Sequence, residues 1–158
     1  MGFLQNDDDM ISLLYVEDEP VARNLLQKVI TRKFPDMKIH SAEDGKSGLE
    51  LFYKICPDIV LTDINLPVLN GIQMVYEIRR FNPKTEIIIL SGQEKVCYES
   101  DCFNIGISQY LNKPIQFEEF YKTIENSIAR ITSKKKRIQP LIQDEDNGGI
   151  IPQVVFQS

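Results

Sequence analysis

"DIVLTDINLPVLNGIQMVYEIRRF", residues 58–81, sets an apolar run, a short loop with a proline and a glycine, and a second run of different period side by side. The first part, ending at Asp63, reads as a buried-type strand. The second, from Gly71, places Ile72, Val75, Ile78 and Arg79 on one side of a helix. A carboxylate at the end of such a hydrophobic strand is poorly solvated unless something nearby stabilises its charge. Asp63 therefore needs a partner.

The same strand-then-helix pattern extends in both directions. "ISLLYV" (11–16) is followed from Pro20 by Val21, Leu25 and Val29 at helical spacing, and proline is tolerated in a first helical turn. "MKIHSA" precedes "DGKSGLELFYKI", in which Leu49, Phe52 and Ile55 repeat the helical period. Beyond residue 81, "EIIILS" is the most strand-like run. A more polar helix candidate follows at about 94–104, then "ISQYLNKP", then a helix with Phe117, Phe120, Tyr121, Ile124, Ile128 and Ile131 on one side.

Five strands alternating with five helices imply a parallel sheet covered on both faces, since parallel neighbours require crossover helices. The expected class is α/β, a flavodoxin-like (βα)5 doubly wound five-stranded sheet in the order 2-1-3-4-5. Residues 1–9, with Asp7-Asp8-Asp9, read as an N-terminal arm, 10–132 as the single domain, and 133–158 as a tail or linker. About 25 residues are too few for a second domain.

Composition excludes several classes. The net charge of −5 argues against nucleic-acid binding by the whole chain, and no recognition helix follows the basic run "SKKKR". That run is expected to end the last helix, where cations suit the carbonyl end of the dipole. Cys56, Cys97 and Cys102 form no CxxC pair, so reduced thiols fit better than a disulfide framework or zinc ribbon. No apolar run approaches the roughly 20 residues of a membrane span. A soluble, cytoplasmic protein is expected. His40, the single histidine, has no ligand partner nearby in sequence and reads as structural.

In open α/β sheets, function gathers at the carboxyl ends of the strands. Those ends carry Glu17, Asp18 and Glu19 after the first strand, Asp63 after the third, Ser91 after the fourth, and Lys113 with Pro114 after the fifth. Each has an ordinary explanation alone, as a helix cap or an exposed loop residue. Together they bring carboxylates, a hydroxyl and an ammonium to one edge. Clustered carboxylates take up a proton or gather a cation, and oxygen-only ligands favour Mg²⁺.

The blocks "YVEDEP", "DIVLTDINLPVLNG", "ILSG" and "YLNKPI" resemble, in order and spacing, those of the response-regulator receiver domain of two-component signalling, over roughly residues 10–131. The resemblance implies that Asp63 accepts a phosphoryl group from the phosphohistidine of a sensor histidine kinase or a histidine phosphotransfer protein. It matches Glu17 and Asp18 to the acidic pair, Ser91 to the hydroxyl residue and Lys113 to the lysine. Pro67 and Gly71 stand four and eight residues after the acceptor, as is typical of the family. Mg²⁺ would be held by Asp18, Asp63 and the backbone carbonyl of Asn65. Glu17 replaces a commoner aspartate, and its extra methylene suggests ligation through water.

Asn65 and Gln93 lie where the family tunes hydrolytic water, and Ser91 with Tyr110 would form the switch. The Lys113-Pro114 bond is expected to be cis. The face of the fourth helix, fifth strand and fifth helix would carry the signal to a downstream protein or a homodimer. No enzymatic activity beyond self-catalysed phosphoryl acceptance and slow autodephosphorylation is expected.

Two alternatives stand beside this reading. A haloacid-dehalogenase-type phosphatase also uses a strand-end Asp and Mg²⁺, but carries a second Asp where Asn65 stands. A receiver-like interaction module that is not phosphorylated would differ only in geometry. A nucleotide or flavin binder is disfavoured, because no GxGxxG or P-loop follows a strand.

Overall fold

A computed structural model describes residues 9–92 and 104–142. Strands β1 (Ser12–Val16), β2 (Lys38–Ala42), β3 (Ile59–Asp63), β4 (Glu86–Ser91) and β5 (Gln109–Asn112) form one sheet in the order β2-β1-β3-β4-β5. Every neighbouring pair is parallel. Helices α1 (Pro20–Lys33), α2 (Gly45–Ile55), α3 (Gly71–Phe81) and α4 (Phe117–Ile142) cover it. The helix expected at about 94–104, with Gln93, Cys97 and Cys102, lies outside the described residues.

The period of two along each strand sorts the core into two layers. Leu13, Tyr15, Leu61 and Ile88 face Leu26 and Ile30 of α1 and Phe120 and Ile124 of α4. Leu14, Val16, Val60 and Ile89 face Phe52 of α2 and Met74, Val75 and Ile78 of α3. Both faces of β3 and β4 are dry, which explains their unbroken apolar sequences.

Local signals start the helices. The Glu19 side chain caps α1 by accepting from Val21 N at 3.0 Å and Ala22 N at 2.5 Å, and Pro20 follows it. Asp44 caps α2 through Ser47 N at 2.7 Å, and Asn70 with Gln73 forms a reciprocal capping box on α3.

The structure corrects the sequence reading in three places. Val21 and Leu25 are 72% and 59% exposed, and Leu26 and Ile30 take the core positions of α1 instead. Phe117 is likewise exposed, beside Tyr121. Arg79 joins no apolar face: its guanidinium donates to the carbonyls of Thr85 (2.6 Å), Pro83 (3.1 Å) and Gly106, tying the α3–β4 loop to the chain entering β5.

The third correction concerns the basic run. The apolar pattern ends at Ile131, but α4 continues to Ile142, so Lys134 and Lys135 lie inside the helix rather than at its carbonyl end. Their partners are acids at the amino ends of the central strands. Arg130 donates to Glu86 Oε2 at 3.0 and 2.8 Å, Lys134 lies 3.6 Å from Glu86 Oε1, and Lys135 lies 3.8 Å from Asp58 Oδ1.

Burial pushes the Glu86 carboxyl up, but Arg130, Lys134 and Ser108 outweigh it and hold the group below its ordinary value of 4.5. A depressed folded value means that the stabilisation is present above the unfolded value and is lost as pH falls through the folded one. Arg130→Gln is therefore expected to cost about 1 kcal/mol at pH 7, discounted for the partial exposure of the arginine. The cost should fade as pH drops below 4.5. Urea denaturation of both proteins at several pH values checks this.

Candidate functional site

The carboxyl ends of β1, β3 and β5 meet at one edge because β1 and β5 lie on either side of the β3–β4 pair. Glu17 leaves β1 with its backbone still tied to β2, its N–H donating to Ala42 O at 3.1 Å. Asp63 ends β3, and its Oδ1 accepts from Asn65 N at 3.1 Å, which turns the chain away over the site. Lys113 follows β5 through a backbone bond from its N–H to Ser91 O at 2.7 Å, and the Lys113-Pro114 peptide is cis.

Lys113 Nζ donates to Asp63 Oδ2 at 2.6 Å and to Glu17 Oε2 at 3.1 Å. Both acids are buried, at 8% and 2% exposure, so the ammonium neutralises charge that water solvates only in part. Burial pulls the Lys113 pKa down, but hydrogen bonds and charge from Asp63 and Glu17 prevail and raise it above the ordinary lysine value. The lysine stays cationic.

Asp18 completes the cluster from the solvent side. One carboxylate oxygen each from Glu17, Asp18 and Asp63 lie within 4.8 Å of one another. Three formal negative charges against one ammonium leave an excess that a divalent cation would balance. The donors are all oxygens, one of them exposed, so the set fits a hard ion that keeps several waters.

Three further side chains hold this edge in shape. The Arg23 guanidinium donates to Glu17 O at 2.6 Å and Asp18 O at 3.4 Å, anchoring the acidic loop to α1. Tyr15, 1% exposed, sends its hydroxyl to Glu17 Oε2 at 3.4 Å, and burial, then the Glu17 carboxylate, push its pKa far above the ordinary phenol range. Thr62 Oγ donates to Asp63 O at 2.9 Å. Sequence reasoning missed all three. A tyrosine in an apolar strand and an arginine in a first helical turn carry no special mark.

Ser91 is buried at the end of β4, next to Leu90, which pairs in register with Asp63. Tyr110 lies on β5 opposite Ile89, partly buried against the α2–α3 core layer, and burial raises its pKa. Asn65 and Pro67 are exposed in the β3–α3 loop. His40 sits within β2, opposite Leu14 and away from the acidic cluster.

Residues 13–125 match the family described as the response regulator receiver domain. The chain belongs to that family. It is 29% identical over 131 residues to the regulatory protein AtoC of Escherichia coli (strain K12), covering 83% of this chain and 28% of that protein. It is 31% identical over 107 residues to a protein-glutamate methylesterase/protein-glutamine glutaminase of Treponema denticola, covering 66% of this chain and 28% of that one. A solved receiver domain from Clostridium thermocellum superposes with a TM-score of 0.67 at 26% identity, over 78% of this chain and 98% of its own. The chain thus spans about a quarter of the length of these two curated relatives, and their printed activities are those of the longer proteins.

In this receiver, Gly71 is required by contact rather than by chain direction. A Cβ there would lie 2.1 Å from Asp63 O and 3.0 Å from Ile64 Cα, and Gly71 N donates to Ile64 O at 2.8 Å. Gly92, after β4, is open, with Lys113 Cδ at 4.0 Å as its nearest neighbour. Gly71→Ala is expected to destabilise by about 1–3 kcal/mol through displacement of the Asp63 loop. Gly92→Ala should stay within about 0.5 kcal/mol. Urea midpoints of the two variants give the comparison.

Proposed function

We propose that this receiver domain is a phosphorylatable switch in which Asp63 is the acceptor and Glu17, Asp18, Asp63 and the Asn65 carbonyl hold Mg²⁺. The observation that carries the reading is Lys113 Nζ lying on both Asp63 Oδ2 and Glu17 Oε2 beside exposed Asp18. The bound cation supplies charge neutralisation for phosphoryl oxygens. An Asp63 carboxylate oxygen attacks phosphorus in line while the bond from phosphorus to the donor histidine nitrogen breaks, leaving imidazole on the donor. Lys113 then moves its ammonium from the carboxylate to a phosphoryl oxygen as a point charge.

Ser91 is the hydroxyl that hydrogen-bonds the attached phosphoryl group, and Tyr110 turns with it. Because Lys113 N is bonded to Ser91 O, the ends of β4 and β5 at these two residues shift together. The output face comprises β5, α4 and the 94–104 segment, reaching a downstream protein or a second copy. A cytoplasmic location belongs to the same reading; among the described residues no helix is long and apolar enough to cross a membrane. Residues 10–132 are the receiver unit, and the remainder of α4, residues 133–142, is the first part of the tail or linker at 133–158.

The donor is a sensor histidine kinase or a histidine phosphotransfer protein. Supporting this, a pocket of about 270 Å³ opens directly beside Lys113 and Glu17, lined by Leu25, Val29, Pro114 and Phe117. Leu25 and Phe117 present apolar surface there, at 59% and 47% exposure, and Val21, one turn before Leu25 on α1, is 72% exposed. A helix carrying the phosphohistidine would bury that surface while bringing phosphorus to Asp63.

Incubation with acetyl phosphate or beryllofluoride plus Mg²⁺ tests the acceptor. Wild type should gain one phosphoryl mass or form the fluoride complex, and Asp63→Asn should do neither. An unmodified wild type sinks the switch reading and favours an interaction module. Leu25→Glu separates the donor surface from the chemistry. It should slow transfer from a phosphorylated protein donor about tenfold more than transfer from acetyl phosphate, measured by radiolabel transfer. Equal slowing would remove the docking role.

A further inference from the structure

Glu17 has both carboxylate oxygens assigned. Oε1 accepts from Glu19 N at 3.2 Å, and Oε2 accepts from Lys113 Nζ at 3.1 Å and the Tyr15 hydroxyl at 3.4 Å. Its backbone is fixed independently, through Ala42 O on one side and Arg23 on the other. What freedom remains is rotation of the side chain, and a glutamate has one more rotatable bond than an aspartate. Of the two side-chain donors on Oε2, Lys113 is shared with Asp63, only 2.6 Å away, and on the proposed function it leaves when phosphate arrives. Tyr15 does not leave: its ring is packed among Leu13, Leu26 and Leu61 in the core. It lies 1% exposed and its hydroxyl has Glu17 as its partner.

We propose that Tyr15 is a positioning residue for the metal site. Its hydroxyl holds the longer Glu17 carboxylate at a fixed torsion, so that a glutamate serves at a position where a shorter acid is commoner. Tyr15 never touches the phosphoryl group or the ion; it acts through Glu17. The two residues form a matched pair, because an aspartate at position 17 ends one methylene short of the hydroxyl. Groups that orient ligands in this way typically matter to metal affinity almost as much as the ligands themselves. The inference rests on the proposed reading of the site as a Mg²⁺-dependent receiver centre.

A double-mutant cycle on Mg²⁺ affinity tests it, by calorimetric titration of wild type, Tyr15→Phe, Glu17→Asp and the double variant with MgCl₂. Tyr15→Phe deletes one oxygen and keeps the ring in its packing. It should weaken Mg²⁺ binding by roughly five- to tenfold in the wild-type background. In the Glu17→Asp background the same change should alter binding less than about twofold. Selective ¹³Cζ-tyrosine labelling adds a readout in unsubstituted core packing. The Tyr15 resonance should shift on MgCl₂ addition in wild type and stay still in Glu17→Asp. Equal weakening in both backgrounds, or none in either, overturns the positioning role while leaving the receiver reading intact. A wild type that binds no Mg²⁺ at about 10 mM, a generous excess over ordinary Mg²⁺ sites, overturns both.

Discussion

Three carboxylates that converge at one edge of a sheet must take up protons or gather a cation, and here Lys113 supplies the cation. Its ammonium, 2.6 Å from Asp63 and 3.1 Å from Glu17, joins the ends of three strands that are far apart in sequence. The strand order makes this possible, since β3 lies centrally and β5 reaches it across β4. The bond is partly exposed and its two acids share one donor, so it satisfies charge without closing the site. An excess of negative charge remains at Asp18, facing water. The resting arrangement is therefore stable enough to fold and still unbalanced toward a divalent ion.

The opposite edge of the sheet solves the same electrostatic problem permanently. Glu86 opens β4 at 5% exposure, and Asp58 precedes β3 with its carboxylate accepting from Ser12 N at 2.9 Å. α4 answers with Arg130, Lys134 and Lys135, and Arg79 occupies the carbonyls of the neighbouring loops. The shortest contacts at this edge come from guanidinium groups, whereas an ammonium sits between the acids of the other. A planar, multiply bonded arginine suits a fixed anchor, whereas a lysine on a flexible stem can change partners. The choice of cation separates the edge that holds the fold from the edge that works.

Most of the fold was legible because buried parallel strands leave an unbroken apolar signature, as in Ile59–Leu61 and Ile87–Leu90, and the intervening helices repeat apolar residues at helical spacing, as Leu49, Phe52 and Ile55 do. The site's acids and lysine were legible for the same reason, being charged residues at or just beyond the carboxyl ends of β1, β3 and β5. What escaped depends on distance through space. Arg130 meets Glu86 across 44 positions and Arg79 meets Gly106 across 27, and no local period records such pairs. On α1 two apolar stripes compete at helical spacing, and only the docked helix decides that Leu26 and Ile30 go inward while Val21 and Leu25 stay outside. Tyr15 was hidden by its own suitability as a core aromatic.

The outward stripe on α1 has a physical consequence for how the site exchanges partners. Leu25 and Phe117 leave apolar surface beside a charged cluster, and such surface is stabilised by covering it. Covering it with a protein also expels water from Lys113 and Asp63, which strengthens every electrostatic interaction among them. On the proposed function, the competition between carboxylate and phosphoryl oxygen for one ammonium would then occur in a drier medium than in the free chain. On the proposed reading, a docked donor thus contributes twice, by placing phosphorus in line and by sharpening the charge balance that draws Lys113 across. On that reading a small-molecule donor leaves the apolar rim uncovered, which makes the rim and the half-buried lysine parts of one device.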